Sequence, residues 1–259
     1  MANQYLSEEV GLPAVGEIAV ITGAEARHAV TVSRLAVGET VRVGNGLGTI
    51  AGGIVTAVAP SEFRFEVQTV EKLERPTPAI WLAQALAKGD RDELAIQAAT
   101  ELGVDGVIPW TAARSIARWE GARIAKGQER WAAVVREATK QSARAWMPEV
   151  APLVTTKQLA ALAETARMIV LDPLARESLT TVALRQAQGA ESAQGAESAQ
   201  ESGADIVVVV GPEGGISPAE FELLHAAGAT SARLGDGILR TSTAGPAAIA
   251  VLSAKLGRW

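Results

Sequence analysis

Cysteine is missing from all 259 residues, which removes disulfides and thiolate metal sites from consideration. Histidine is nearly missing, with only His28 and His225. A histidine-built metal centre would lack ligands, and a His-centred triad has two candidates at most, so no metal is expected. No apolar run approaches the ~18–20 residues needed to cross a bilayer. The stretch Met1–Glu17 carries Glu8, Glu9 and Glu17 and has no basic segment leading into an apolar one, so it is not expected to act as a signal peptide. These absences predict a soluble, cytoplasmic protein that takes no membrane partner. Basic charge is also in deficit: 24 Lys and Arg stand against 29 Asp and Glu, for a net charge of −5. Nucleic-acid binders are more often basic. The deficit is uneven, however. Between Thr111 and Met147, eight basic residues (Arg114, Arg118, Arg123, Lys126, Arg130, Arg136, Lys140, Arg144) face three acids (Glu120, Glu129, Glu137), a local balance of +5. Such a run is either a solvated face or a surface for phosphates.

The length suits two modest domains with cores of their own. Residues 1–74 read as β-rich. Glu39–Val43 alternates polar and apolar residues, Asn45-Gly46 signals a tight turn, and Gly48–Val58 and Phe63–Val70 continue the strand pattern. A small β-barrel with a short helix near Glu25–Arg34 is expected. Pro76 and Pro78 mark a linker, and a second domain is expected over 77–259. There the nearly unbroken apolar runs Ile80–Leu86, Val104–Trp110, Met168–Leu171 and Ile206–Val210 suit strands covered on both faces, as in a parallel sheet. Helical segments alternate with them, which makes the domain α/β. Asp90 with Glu93 predicts a capping box ended by Gly103. Ser217 with Glu220 predicts another, with Pro218 at its first position and Gly228 as its stop. Gln128–Arg144 has Trp131, Val134, Val135 and Ala138 at helical spacing. Residues 187–202 repeat AQGAES and lack large apolar side chains, so they read as a surface insertion without chemistry.

Four segments carry chemistry. Gly211-Pro-Glu-Gly-Gly-Ile-Ser217 joins an apolar strand to a capped helix. Its glycines let a ligand approach the backbone, and the free amides of the helical turn favour a polar or anionic group. It is neither a GxGxxG nor a Walker A loop; the plainer reading is a tight turn. Leu234–Gly245 is a second glycine-containing loop before a helix over Pro246–Leu256. That helix is apolar on most sides, which suits either a core helix or packing on a second copy. The third segment runs from Lys88-Gly-Asp-Arg91 through Trp110 to Arg114-Ser115. The fourth is Glu137–Arg144, where Arg136, Lys140 and Arg144 at spacings of four predict one basic helix face, with Gln141 beside it to read a base edge.

In this order the KGDR…ATELGV…RS, E…QSxR, GPEGGIS and LGxxILRTxTA elements closely resemble the RsmE family of the SPOUT methyltransferase superfamily, and Arg27-His28 and Arg34–Gly38 resemble its small RNA-binding domain. The likeness covers nearly the whole chain apart from the repeat. It implies a SPOUT-type α/β domain with a mostly parallel sheet and a trefoil knot, an exception to the usual absence of knots, behind an amino-terminal PUA-like barrel. It further implies a homodimer, S-adenosylmethionine as cofactor, and methylation of N3 of a uridine in the 16S rRNA of the 30S subunit. By the resemblance the cofactor is held by Leu171, Asp172, Gly211, Pro212, Glu213, Gly214, Gly215, Leu234, Gly235, Ile238, Leu239, Arg240 and Thr241. RNA would meet Arg27, His28, Arg34, Arg136 and Lys140. Arg114, Gln141 and Arg144 would position the base and stabilise the charge that spreads over its oxygens. Asp236-Gly237 and Ser242 depart from the commoner family pattern; the main-chain role of that loop should survive both changes, and no role is carried over for the acid that Ser242 replaces. Two other readings remain open at this level: a ribose 2′-O methyltransferase of the same superfamily, and a non-catalytic ribosome-assembly module that binds RNA and cofactor.

Overall fold

The computed structural model describes residues 3–7, 14–182 and 204–259; the repeat at 187–202 lies outside them. The chain forms two compact units. The first is Met1–Arg75 with Thr139–Met147, and the second is Pro76–Ala138 with Pro148–Trp259.

In the first unit, β1 (Asn3–Leu6), β2 (Ile18–Thr22), β3 (Thr40–Gly44), β4 (Thr49–Ala59) and β5 (Glu62–Lys72) form one sheet in the order β1-β3-β4-β5-β2. Only the β1–β3 pairing is parallel. Strand alternation sends Val41 and Val43, and Phe63, Phe65 and Val67, inward. Tyr5 from one edge strand and Ile21 from the other share this core, and the Tyr5 and Phe63 rings lie 5.4 Å apart. Both edges therefore curl around one interior, as a barrel requires. The expected short helix is present as α1 (Gly23–Arg27) with a π-turn over His28–Val32. Asn45 does not make a two-residue turn. Its side-chain oxygen accepts from the amides of Leu47 and Thr49 (2.8 and 3.0 Å), shaping a four-residue loop.

The second unit is built on β6 (Ile80–Ala85), β7 (Gly106–Thr111), β8 (Glu149–Val150), β9 (Val154–Thr155), β10 (Arg167–Leu171), β11 (Ile206–Val210) and β12 (Thr230–Ala232). Their order is β12-β10-β11-β6-β7-β8, with β9 also on β7, and every one of these pairings is parallel. All five residues of β11 are buried, as two-sided cover demands. The helices are α2 (Arg91–Glu101), α3 (Ala122–Gln141), α4 (Thr156–Ala161), α5 (Pro218–Ala226) and α6 (Thr241–Lys255). At Ser217 the expected capping box forms in full, with Pro218 in the first turn.

Three local expectations are corrected. Asp90 does not cap α2: its backbone is left-handed (φ 58°) and its carboxylate meets Arg130 at 3.3 Å, while Glu93 also pairs with Arg130. A tertiary cation has taken both acids from the helix amides. Helix α3 ends at Gln141, so Arg144 does not share a helix face with Arg136 and Lys140. Ala143 is left-handed (φ 55°), and the Arg144 amide closes the end onto Thr139 O at 3.1 Å. Helix α6 begins at Thr241, not Pro246, and takes Pro246 into its interior. The ring removes the hydrogen bond to the carbonyl four residues back. Gly245 lies flat on Leu82, where a Cβ would stand 2.9 Å from its methyl groups, so close packing on β6 compensates.

Candidate active site

Parallel pairing puts the carboxyl ends of neighbouring strands at one edge of a sheet, where open α/β folds place their ligands. Here Leu171, Val210 and Ala232 end β10, β11 and β12 side by side. Beyond them lies a cavity of about 710 Å³ within the second unit, in the ~300–1,000 Å³ range of small-molecule sites. Its walls are the loops after these strands and the first turn of α6.

Of the residues expected to hold a cofactor, Leu171, Asp172, Gly211, Pro212, Glu213, Gly215, Leu234, Ile238, Leu239, Arg240 and Thr241 line this cavity, and Gly214 and Gly235 do not. Gly214 serves another purpose: a Cβ there would stand 3.1 Å from Arg114 Cβ and 3.3 Å from Arg114 O. Sequence reasoning missed Arg91, Leu174 and Phe221, which also line it. The Lys88–Arg91 element was a usable signal for Arg91.

Separate segments of sequence meet here through specific bonds. Glu213 accepts from the Lys88 amide at 3.1 Å and from Arg91 Nη1 at 3.0 Å. Partial burial works against its charge, but the main-chain amides of Glu213 itself and Lys88, together with Arg91, outweigh it and hold the carboxyl below its usual range. Glu220, in the capping box of α5, accepts from the amide and hydroxyl of Ser217, from the Ala113 amide at 2.8 Å and from Thr156 Oγ1 at 2.9 Å. Burial alone would raise its pKa; these donors lower it. The Ala113 contact sets the loop after β7, whose Arg114 donates to Gly214 O at 3.1 Å. Arg114 is exposed beside the glycine loop and does not line the cavity. Asp92 is buried under the same Lys88–Arg91 loop. Burial pushes its carboxyl up, opposed by the amides of Ala87 and Glu93.

Two carbonyls at the end of β11 are held from behind. Trp110 Nε1 donates to Val210 O at 3.2 Å, and Thr241 Oγ1 donates to Gly211 O at 2.8 Å.

Gln141 and Arg144 belong to the first unit, as does Lys140. Lys140 is not on an open basic stripe: its ammonium lies 3.1 Å from Glu25, the two side chains being 12% and 11% exposed. Arg136 is half-buried in the second unit, and Arg27, His28 and Arg34 are exposed on the first. Among the described residues no group of three or more His, Cys, Asp or Glu could hold a metal ion, and no helix is long and apolar enough to cross a membrane.

The family model for an RNA methyltransferase domain matches residues 74–253, and that for an RNA methyltransferase PUA domain matches residues 21–68. The chain is 38% identical to the ribosomal RNA small subunit methyltransferase E of Mycobacterium bovis over 253 residues, covering 96% of this chain and 90% of that protein. It is 33% identical to the protein of the same name from Bacillus subtilis, covering 90% and 88%. Among solved structures, that of a ribosomal RNA small subunit methyltransferase E from Neisseria gonorrhoeae bound to S-adenosyl methionine superposes with a TM-score of 0.79 at 26% identity, covering 98% of each chain. A putative methyltransferase from Legionella pneumophila, in complex with bound SAM, gives 0.81 at 25% identity over the same share of each. A match over most of the chain to the methyltransferase model, with relatives above 30% identity along its length, shows that this chain belongs to the ribosomal RNA small subunit methyltransferase E family of RNA methyltransferases.

Proposed function

We infer that this chain is an S-adenosylmethionine-dependent methyltransferase acting on 16S rRNA of the small ribosomal subunit, at N3 of a uridine. The observation that carries the reading is that the Gly211–Gly215 and Leu234–Thr241 loops jointly wall one cavity.

The cavity suits this cofactor. It is large enough for a nucleoside joined to an amino acid, and it is walled by loop backbone with apolar Leu171, Leu234, Ile238 and Leu239. At Gly211 a Cβ would meet Ile216 Cγ1 at 2.7 Å, and Gly215 has φ +71°. Glycine is required at these two positions, where main-chain groups face a ligand without a Cβ in the way. When bound, S-adenosylmethionine supplies an electrophilic methyl group on a sulfonium.

The chain's own residues do the rest. Leu171 and Leu234 give an adenosine-sized group an apolar wall, with the more exposed Leu239 and Ile238 beside them. Glu213, fixed by Arg91 and the Lys88 amide, holds the glycine loop still. Uracil N3–H is weakly acidic; the minor anion formed when water takes that proton spreads its charge over O2 and O4 and is the species that accepts the methyl group. Arg114, steered by Gly214 and the Glu220–Ala113 contact, is the cation assigned to stabilise that charge. Gln141, Arg144, Arg27, His28 and Arg34, all of the first unit, are assigned to the RNA.

The reading also includes a cytoplasmic homodimer and the trefoil knot of the superfamily. Ala247, Ala250 and Val251 leave a half-exposed apolar strip on α6 for a second copy; sedimentation tests that assembly.

The deciding experiment is methyl transfer from labelled S-adenosylmethionine to 30S subunits lacking the modification, with the product nucleoside identified by mass. N3-methyluridine at one 16S position is expected. A 2′-O-methylated product would replace the chemistry, and binding without transfer to 30S, free 16S RNA or tRNA would reduce the protein to a binding module.

A further inference from the structure

Gln84 interrupts the apolar strand β6, sits wholly buried, and is the one amide side chain in the run Ile80–Leu86. Its Nε2 donates to Thr241 Oγ1 at 2.8 Å, and the Thr241 hydroxyl donates in turn to Gly211 O at 2.8 Å. Nε2 also reaches the Ala85 carbonyl at 3.2 Å. The direction of the chain is fixed. A hydroxyl has one proton, and the Gly211 carbonyl can only accept, so Thr241 must accept from Gln84. Meanwhile Gln84 Oε1 is buried with no hydrogen-bond partner, which costs stability. An apolar side chain would avoid that cost in the middle of a sheet. A buried acceptor left without a partner points to a role other than stability.

Gly211 and Thr241 belong to the two loops that wall the cavity, and both line it, whereas Gln84 does not. We propose that Gln84 is a positioning residue for the cofactor cavity: its amide orients the Thr241 hydroxyl, which locks the Gly211 carbonyl and so holds the two cofactor loops in one register. The proposal rests on the cavity being the S-adenosylmethionine site, and it deepens that reading.

The chain predicts a pH signature that a packing role would not produce. Gln84→Glu preserves shape but, when ionised, offers Thr241 only acceptors. The hydroxyl then turns to the carboxylate and releases Gly211 O. When protonated, the introduced carboxyl can donate, and the original chain is restored. Burial raises the pKa of such a carboxyl, which brings the transition into a range compatible with a folded protein.

Calorimetric titration of the full-length protein with S-adenosylmethionine tests this, alongside Gln84→Glu, Gln84→Met, Thr241→Val and Thr241→Ser, with melting temperatures measured for each. Gln84→Met and Thr241→Val are each expected to weaken binding about tenfold, the value of one neutral hydrogen bond left unmade. Their double variant should be little worse than either alone, because both break the same chain. Thr241→Ser should restore near-normal affinity. Gln84→Glu should bind more tightly as pH falls from 8 to 5.5, with wild type as the flat reference. The proposal is overturned if Gln84→Met binds within twofold of wild type, if the two losses add in full, or if Gln84→Glu tracks wild type across pH. Wild type failing to bind S-adenosylmethionine at all would instead sink the cofactor assignment, so the two failures are distinguishable.

Discussion

Arg114 and Gly214 lie so close that each sets what the other can be. The guanidinium donates to the Gly214 carbonyl at 3.1 Å, and a Cβ on Gly214 would stand 3.1 Å from Arg114 Cβ. Gly214 has no left-handed φ to demand glycine, so the backbone itself would accept alanine. The constraint comes from the arginine alone. Gly214→Ala should therefore fold almost normally, with a stability change under ~1 kcal/mol, yet displace Arg114 by a few tenths of an ångström or more. With Arg114 in the charge-stabilising role proposed for it, its displacement costs rate more than binding. Methyl transfer in single turnover should fall by roughly 10- to 100-fold, while affinity for S-adenosylmethionine stays within about threefold. Equal losses of rate and cofactor affinity would show that Gly214 serves the cavity and not Arg114.

Glu220 supports a pH prediction. Its carboxyl is held below the ordinary value of 4.5 in the folded chain. Above that value it is ionised in both the folded and unfolded states, and its contacts contribute in full. As pH falls through the lower folded value the unfolded chain has already taken the proton, and the contribution is lost. Glu220→Gln keeps the side-chain shape but removes the charge that Ser217, Thr156 and the Ala113 amide address. Thermal unfolding should show the variant less stable than wild type at pH 7, by about 2 kcal/mol, with the gap closing as pH falls below 4.5. A gap that persists unchanged into acid would mean that the lost contacts are steric.

The sheet and the Ser217 cap were legible in the sequence because each depends on neighbours close in the chain. Ile206–Val210 is apolar throughout because both its faces are covered, and Ser217 with Glu220 satisfies amides within one turn. The same local rule failed at Asp90, where the competing partner, Arg130, is 40 residues away. It failed again at Thr241, because Gly245 and Pro246 read as a helix start unless the Leu82 side chain beneath them is known. The grouping of cavity residues was readable only through the family resemblance. Spacing along the chain does not reveal that Leu171, Gly211 and Thr241 converge. Gln84 left a signal that was overlooked, a polar side chain inside a strand with no exposed face.

Arg258 pins the end of the chain to the start of the sheet. Its guanidinium donates to Asp105 Oδ2 at 2.8 Å, to Gly103 O at 3.2 Å and to Pro78 O, while Asp105 is 1% exposed and also accepts from the Ile80 amide at 2.8 Å. Removing Arg258 leaves the buried Asp105 carboxylate without that cation. Arg258→Ala should lower unfolding free energy in urea by about 3–5 kcal/mol. Arg258→Lys should recover only part, because an ammonium cannot span the three acceptors as a planar fork does. A loss below ~1 kcal/mol would show that the carboxy-terminal residues contribute little beyond their local contacts.

Lys140 and Arg27 differ in how their charge is held: one is paired in shelter, the other is exposed. Lys140 is paired with Glu25 in a nearly closed environment, and Glu25 also accepts from the Leu6 amide at 3.3 Å. Arg27 and Arg34 point to solvent. A lysine committed to a carboxylate has little charge left for phosphate, whereas an exposed arginine releases a counterion when RNA binds. Arg27→Ala and Arg34→Ala should each weaken 16S RNA binding and reduce the slope of log affinity against log salt by about one, with melting temperature unchanged. Lys140→Met should leave that slope intact and instead lower thermal stability, since Glu25 would remain largely buried without the Lys140 cation. If Lys140→Met reduced the salt slope as the arginine variants do, the pair with Glu25 would have to open on RNA binding, and Lys140 would return to the RNA surface.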